Sequence, residues 1–153
     1  MKERLYDILA ALLPVPLIWA YENGRQPENV FAALDVRSAD ASLPVLRAPI
    51  SESGSRALSA VREAAVTVQC YGDGAFELLD ALAMALQTEA AADALDAANA
   101  AVFDIERVQS VPKLFEAQYH EQAVLSFRYR YMAAMDETVP VIEKAVLDVT
   151  TRQ

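Results

Sequence analysis

Few residues of the chain could do chemistry, and the most suggestive group is the short segment Gly72-Asp73-Gly74. Glycines between a strand and a helix also begin phosphate-binding loops, where backbone N–H groups point at the anion. The segment lacks the G-x-G-x-x-G spacing and the Walker lysine, and the carboxylates of Asp73 and Glu77 would repel a phosphate. The residues therefore favour a plain strand-turn-helix connection, in which Asp73 accepts hydrogen bonds from the first N–H groups of the helix.

Nucleophiles and metal ligands are equally scarce, because the chain contains one cysteine and one histidine. Cys70 falls on the buried face of a predicted strand, and a single cysteine excludes an internal disulfide. His120 lies among polar neighbours at the start of the last long strand, a setting typical of a surface residue. We therefore expect no catalytic residues, no cofactor-binding or metal site, and no enzymatic activity.

Length and charge narrow the class of protein further. The chain has 153 residues and a formal net charge of −9. The length predicts one domain spanning residues 1–153, with enough chain to bury a core. The negative charge argues against a surface that seeks nucleic acid, since phosphate contacts need lysine and arginine. The apolar N-terminus is interrupted by Asp7, Pro14 and Pro16, so we expect cytosolic synthesis and no membrane association.

The element that organises the chain runs from Arg62 to Leu86. Residues 63–71 alternate, with Ala64, Val66, Val68 and Cys70 on one side, as in a strand with one buried face. From Ala75 the period becomes helical, and it predicts a buried stripe of Phe76, Leu79, Ala83 and Leu86, broadened by Leu82. A central strand is therefore expected to turn tightly into a helix that packs back onto the sheet.

The same patterns predict the remaining elements. These are a helix at Leu5–Leu12 stopped by Pro14, a covering segment or edge strand at Val15–Tyr21, a strand at Val30–Arg37, a thin helix or loop at Ala90–Ala101, a short strand begun by Phe103 and Ile105 and ending before Pro112, a connector at Leu114-Phe115, a strand at Leu125–Tyr131 ended by Asp136-Glu137, and an apolar tail at Val139–Val149. Strands joined by short turns favour an α+β fold: a mainly antiparallel sheet with helices packed on one face, forming a two-layer sandwich.

A β-hairpin arm is expected to protrude from this sandwich at Ile50–Leu58. Its tip is small and polar, and it would be weakly structured unless a partner ordered it. The arm is therefore a candidate subunit interface, made of Ser51, Glu52, Ser53, Gly54, Ser55 and Arg56.

The stretch from Gly72 to Glu106 contains eight acidic residues and no lysine or arginine. One interpretation is a solvated helix face. The other is that assembly concentrates this charge where a polyanion must pass without sticking. Glu77 and Asp80 lie off the predicted apolar stripe, so they are the candidate channel-facing residues.

Three stretches together resemble the neck or tail terminator (tail-completion) proteins of long-tailed bacteriophages. They are Leu17-Ile18-Trp19-Ala20 with Asn23-Gly24 and Pro27, the block REAAVTVQCYGDGAFELLDAL, and the late strand AVLSFRYRY after Glu116 and Glu121. They cover most of residues 17–132, and their order and spacing carry the likeness. Glu28-Asn29-Val30 departs from it, where a more proline-rich entry to the strand is expected.

The resemblance implies a small α+β protomer that forms a homohexameric ring. Such a ring terminates the tail tube and joins it to the neck, while genomic DNA passes through the centre without specific binding. Its implied partners are further copies of the chain, the tail tube protein and the neck or connector proteins, and the sheath protein is a further partner that the resemblance allows. The implied location is the tail or neck of the virion.

Two other classes stay open at this point. One is another ring of the same machine, a head-completion or neck adaptor protein. The other is a small cytosolic α+β enzyme or ligand-binding domain. The assembly mass separates the second class from a ring, because a small enzyme would be a monomer or dimer.

Overall fold

A computed structural model describes residues 1–140 of the chain. The predicted tail at Val139–Val149 therefore lies almost entirely outside the described residues. The helices are α1 (Lys2–Leu12), α2 (Ala75–Ala85) and α3 (Glu89–Ala97). The strands are β1 (Leu17–Trp19), β2 (Phe31–Asp40), β3 (Leu46–Arg47), β4 (Ser55–Tyr71), β5 (Ala101–Phe103), β6 (Gln109–Ser110), β7 (Lys113–Phe115), β8 (Gln118–His120) and β9 (Gln122–Thr138).

Within residues 1–140, seven strands form one sheet with the order β1-β2-β4-β9-β5, in which β3 also pairs with β4 and β6 with β9. All pairings in it are antiparallel except that of β1 with β2, which is parallel. The long strands β4 and β9 pair along their whole length, from Ser55 opposite Thr138 to Tyr71 opposite Gln122. They form the centre of the sheet.

The core lies on one face of this sheet, where alternation along each long strand places the apolar side chains. Register carries the same alternation across the strands, since Leu34 lies opposite Val68 and Val68 opposite Leu125. The helices cover this face with Leu5 and Leu9 of α1, Leu79 and Leu82 of α2, and Leu95 of α3, all buried. The predicted α+β fold, with helices packed on a mainly antiparallel sheet, is confirmed.

The buried stripe of α2 is rotated from the predicted one. Phe76 is 37% exposed, whereas Ala75, Leu79, Leu82 and Leu86 are buried. The tight turn before α2 buries its first residue, Ala75, completely, and Phe76 lies about 100° further around the helix, off the buried side. The prediction that Phe76 belongs to the core is therefore wrong.

Several boundaries also differ from the sequence pattern. β9 continues through Asp136-Glu137 to Thr138, because its partner β4 extends equally far. The predicted connector at Leu114-Phe115 is part of a small separate hairpin, β7 with β8, and His120 ends β8 rather than starting the last long strand. The alanine-rich stretch is helical over Glu89–Ala97, where the Thr88 hydroxyl accepts a hydrogen bond from the Ala91 N–H at 3.3 Å. Val15–Tyr21 contains the edge strand β1.

Candidate assembly surfaces

The predicted arm is present and is larger than a hairpin. We use "arm" for residues 45–62, which contain β3, the tip and the start of β4, together with residues 131–138 of β9. Ala64 and Tyr129 are the fully buried pair nearest to it, and beyond them only Ala60 is buried among residues 55–63 and 130–138. Nine residues separate Ala64 from Ser55, which corresponds to about 30 Å of strand. The arm is thus a three-stranded extension of the sheet.

The tip of the arm is closed by its own hydrogen bonds. The Ser51 N–H donates to the Ser55 carbonyl at 2.7 Å, and the Gly54 N–H donates to the Ser51 carbonyl at 2.9 Å. The hydroxyls of Ser51, Ser53 and Ser55 lie within 3.3 Å of one another. Gly54 has a φ of +80°, a conformation that glycine adopts without strain. The tip is therefore ordered within one protomer, although the sequence suggested that it needs a partner for this.

The six residues predicted for the subunit interface are brought together at this end of the arm. Ser51, Glu52 and Ser53 are exposed. Arg56 forms an ion pair with Glu137 across β4 and β9, so its guanidinium ties the two strands together. Its charge is thus already balanced within the protomer, which leaves the serines and Glu52 as the open polar surface.

Sequence reasoning missed the apolar surface of the arm. Leu46 is 62% exposed, Met135 64%, Met132 47% and Ile50 46%. A shallow hollow of about 150 Å³ lies among Val45, Leu58 and Met135, beside Arg62. The segment LPVLRAPI, with few charges and a proline at each side of β3, was the signal that could have indicated it. Exposed apolar side chains on a protruding element are typical of a protein contact.

The acidic candidates lie on the helical layer. Glu77 and Asp80 are exposed on α2, and Glu89, Asp93 and Asp96 are exposed on α3. Neither helix contains a lysine or arginine. On the opposite face of the sheet the charges are mixed, since Arg130 contacts the Glu63 carboxylate at 2.7 Å. The exposed surface of α2 and α3 is therefore electronegative.

The strand-to-helix turn has a different chemistry from the predicted one. Asp73 is exposed, and α2 begins after Gly74 with no hydrogen bond from a side chain at the cap position. The carboxylate of Glu121, 47 residues later, instead accepts from the Gly74 N–H at 2.8 Å and the Phe76 N–H at 3.3 Å. The prediction that Asp73 caps α2 is therefore wrong, because β9 brings a better-placed carboxylate to the turn. That carboxylate occupies the position where an external phosphate would bind.

The remaining reactive groups are separated. Cys70 is fully buried, and burial raises the pKa of its thiol to about 11. His120 is exposed and packs edge-on against the Phe115 ring, with 6.1 Å between centroids. A surface cleft of about 460 Å³ is lined by His120, Lys113 and Glu121 among others, but the Glu121 carboxylate already caps α2. Within residues 1–140, no three His, Cys, Asp or Glu side chains are grouped so as to hold a metal ion.

Among the helices that the structure describes, none has the length and apolar character needed to cross a membrane. No curated protein sequence matches the chain. A family model for the phage neck terminator protein matches residues 3–153. This match agrees with the resemblance seen in the central strand-turn-helix block and the late strand. Such a protein is a structural component of the virion tail or neck, and the match covers nearly the whole sequence. The chain therefore belongs to the phage neck terminator protein family.

Proposed function

We propose that this chain, acting as one terminator domain over residues 1–153, assembles into a homohexameric ring that ends the tail tube and joins it to the neck connector. The observation that carries the proposal is the family match over residues 3–153. The described surfaces support it, because the electronegative surface of α2 and α3 suits a passage that DNA crosses without binding, and the protruding arm suits contact with a neighbouring subunit. In this account the chain has no catalytic role.

The arm tip contributes to the contact between neighbouring subunits. Ser51, Glu52, Ser53, Gly54, Ser55 and Arg56 stand about 30 Å of strand beyond the core, far enough to reach a neighbour. An element that protrudes on one side of a protomer suits a head-to-tail contact, and such contacts close into rings. The tube protein and the connector proteins would bind the two remaining faces of the ring.

The acidic face of α2 lines the passage for DNA. In a sixfold ring each exposed carboxylate is repeated six times, so Glu77 and Asp80 form two rings of six carboxylates. Like charge prevents the lysine and arginine contacts that release counterions and hold DNA. Its repulsion acts within a Debye length of about 8–10 Å. DNA would therefore pass without specific binding.

The mass of the purified full-length protein by size-exclusion chromatography with light scattering tests the ring. Six chains of 16.7 kDa give about 100 kDa. Removing Ser51–Ser55 should leave the circular dichroism spectrum and protomer stability nearly unchanged while weakening the oligomer, since these residues are exposed or half-buried apart from Gly54. A matched deletion control is Asn23-Gly24, an exposed turn outside the arm. Unchanged oligomer mass after the tip deletion would remove the tip from the interface.

A head-completion or neck adaptor ring is the second candidate, because the same exposed arm and acidic layer suit any ring of this machine. Binding to purified tail tube separates the two. A terminator binds the head-proximal end of the tube directly, whereas an adaptor binds the connector and leaves bare tubes unbound.

A further inference from the structure

The arm has a free strand edge on each side, as far as residues 1–140 are concerned. β4 lies in the middle of the arm, with β3 on one side and β9 on the other. The outer side of β9 pairs with β5 at residues 128–130 and with β6 at residues 123–124, but no described strand pairs with residues 131–138. The outer side of β3 is also without a described partner. Such edges expose N–H and C=O groups that can bind another strand.

The register shows which backbone groups point outward on β9. The Ser126 carbonyl accepts from the Glu106 N–H at 2.9 Å, and the Gln122 carbonyl accepts from the Val111 N–H at 2.7 Å. The backbone N–H and C=O groups of even-numbered β9 residues therefore point away from β4. Because outward and inward residues alternate in an antiparallel pair, Met132, Ala134 and Asp136 continue this outward row. Their backbone groups have no strand partner among the described residues.

The same reasoning applies to β3. The Ala48 N–H donates to the Ala57 carbonyl at 3.0 Å, so the backbone N–H and C=O groups of Ala48 and Leu46 point toward β4. The backbone groups of Val45 and Arg47 therefore point outward. Pro44 and Pro49 flank this segment, and since proline has no N–H they confine the open edge to four residues.

We propose that β3 of one subunit pairs in parallel with residues 132–136 of β9 in the next subunit, so that the arms form a continuous sheet. This rests on the proposed ring. Both β3 and β9 run antiparallel to β4, so they have the same direction. When subunits are related by rotation about an axis parallel to the strands, the β3 edge of one subunit meets the β9 edge of the next. Each copy then uses one edge on each side, which is a heterologous contact of the kind that closes a ring.

Side chains at the two edges are complementary in one register. With Leu46 opposite Ala134, the Ala134 N–H meets the Val45 carbonyl and the Ala134 carbonyl meets the Arg47 N–H. Leu46 then packs beside Met132, and both are about half exposed in the protomer, at 62% and 47%. Arg47 lies on the same face as Met135 and Glu137, because Leu58 is the strand partner of both Arg47 and Met135.

Charge points to a second copy as the occupant. Arg47 is the sole charged residue of 41–50, and the end of β9 carries Asp136 and Glu137. Among the described residues Arg47 has no acidic group within 4.0 Å, whereas Glu137 is paired with Arg56. A neighbouring Arg47 would add a cation beside Asp136 and Glu137 at the end of β9, where Arg56 of β4 is the one described arginine paired with them.

A pair of cysteines tests the pairing directly. Leu46 and Ala134 are both strand partners of Ser59, on its two sides, so within one protomer they are about 10 Å apart and cannot form a disulfide. Full-length Leu46→Cys with Ala134→Cys should therefore give, on mild oxidation, a ladder of covalent multimers up to the size of the ring. The matched control is Ser59→Cys with Ala134→Cys, which are direct neighbours in one protomer and should bridge internally without a ladder. Cys70 is buried and does not take part.

The covalent products are compared with the mass of the protein in solution, measured by light scattering. An oligomer by light scattering that gives no ladder would overturn the edge pairing and leave the ring standing, as when another protein or residues 141–153 of the same chain occupy the edge. A ladder that stops at the dimer would contradict the head-to-tail arrangement. A monomer at every concentration would overturn both proposals. As a second variant that avoids thiol chemistry, Arg47→Glu should weaken association at least about tenfold.

Discussion

The carboxylate that caps α2 allows a sharp test of the structure, because sequence and structure name different residues. Asp73 is the local candidate, whereas Glu121 is the residue in contact with the helix. We expect Glu121→Ala to lower the free energy of unfolding clearly and Asp73→Ala to change it little. The two variants remove the same chemical group, one from within the turn and one from the residue that precedes β9.

The magnitude follows from the contacts. Glu121 accepts two hydrogen bonds from N–H groups at the start of α2, at 2.8 and 3.3 Å. Loss of an N-terminal capping side chain costs about 0.5–2 kcal/mol, and an anion at a helix start adds a few tenths to about 1 kcal/mol. The side chain is half-buried, so solvent screening keeps the total near 1–2 kcal/mol. For a protein of this size that is a fall in Tm of about 2–8 °C.

The assay is chemical and thermal denaturation of the two alanine variants and the parent, with Glu121→Gln as a third variant. Glutamine keeps an oxygen acceptor but removes the charge, so it should recover part of the loss. Asp73→Ala should stay within about 0.5 kcal/mol of the parent, because Asp73 is exposed and makes no cap hydrogen bond. Equal losses for Asp73→Ala and Glu121→Ala, or a larger loss for Asp73→Ala, would refute the assignment of the cap.

Three further predictions concern the turn, the acidic face and the cysteine. Gly72→Ala should destabilise the protomer by about 2–4 kcal/mol in urea denaturation, since Gly72 has a φ of +112° and an added Cβ would lie 2.8 Å from Val30 Cγ2; Gly24→Ala, with nothing within 4 Å, is the control and should be near neutral. Glu77→Lys with Asp80→Lys should leave folding almost unchanged but give the assembled ring salt-dependent DNA binding, and rings that bind DNA no better than the parent would place this face outside the channel. Cys70 should react with a disulfide reagent at pH 8 only on unfolding, because burial holds the pKa of its thiol near 11, and fast labelling of the folded protein would contradict this. The free energy of unfolding should also fall as pH rises from about 9 to 11, because the thiol of the unfolded chain ionises at a lower pH than the buried one.

Local patterns were sufficient for the sheet and its buried face. Alternation at Ala64, Val66, Val68 and Cys70 identified the core side of β4, because burial on one face imposes a period of two on any strand. The family resemblance was likewise visible in the order of three segments, and it is confirmed. The positions of the arm tip and of the acidic helix residues also followed from local composition, while their roles stay predictions.

Long-range contacts account for what the sequence left out. Glu121 reaches the start of α2 only because β9 lies beside β4, and no local rule connects residues 47 apart. Ala75 is buried and Phe76 is not, because the geometry of the turn sets how α2 is rotated about its own axis. Hydrophobic periodicity alone does not describe that rotation. The open edges of the arm depend on which strands pair. They follow from the position of β4 between β3 and β9.

A density map of the assembled virion that carries this chain tests the central claim most directly. The map should show a sixfold ring of the chain between the head-proximal end of the tail tube and the connector. In that ring the arm of each subunit touches its neighbour and the exposed face of α2 points to the DNA passage. A chain found elsewhere in the particle, or in that position with its arms apart and α2 on the outer surface, would contradict the account.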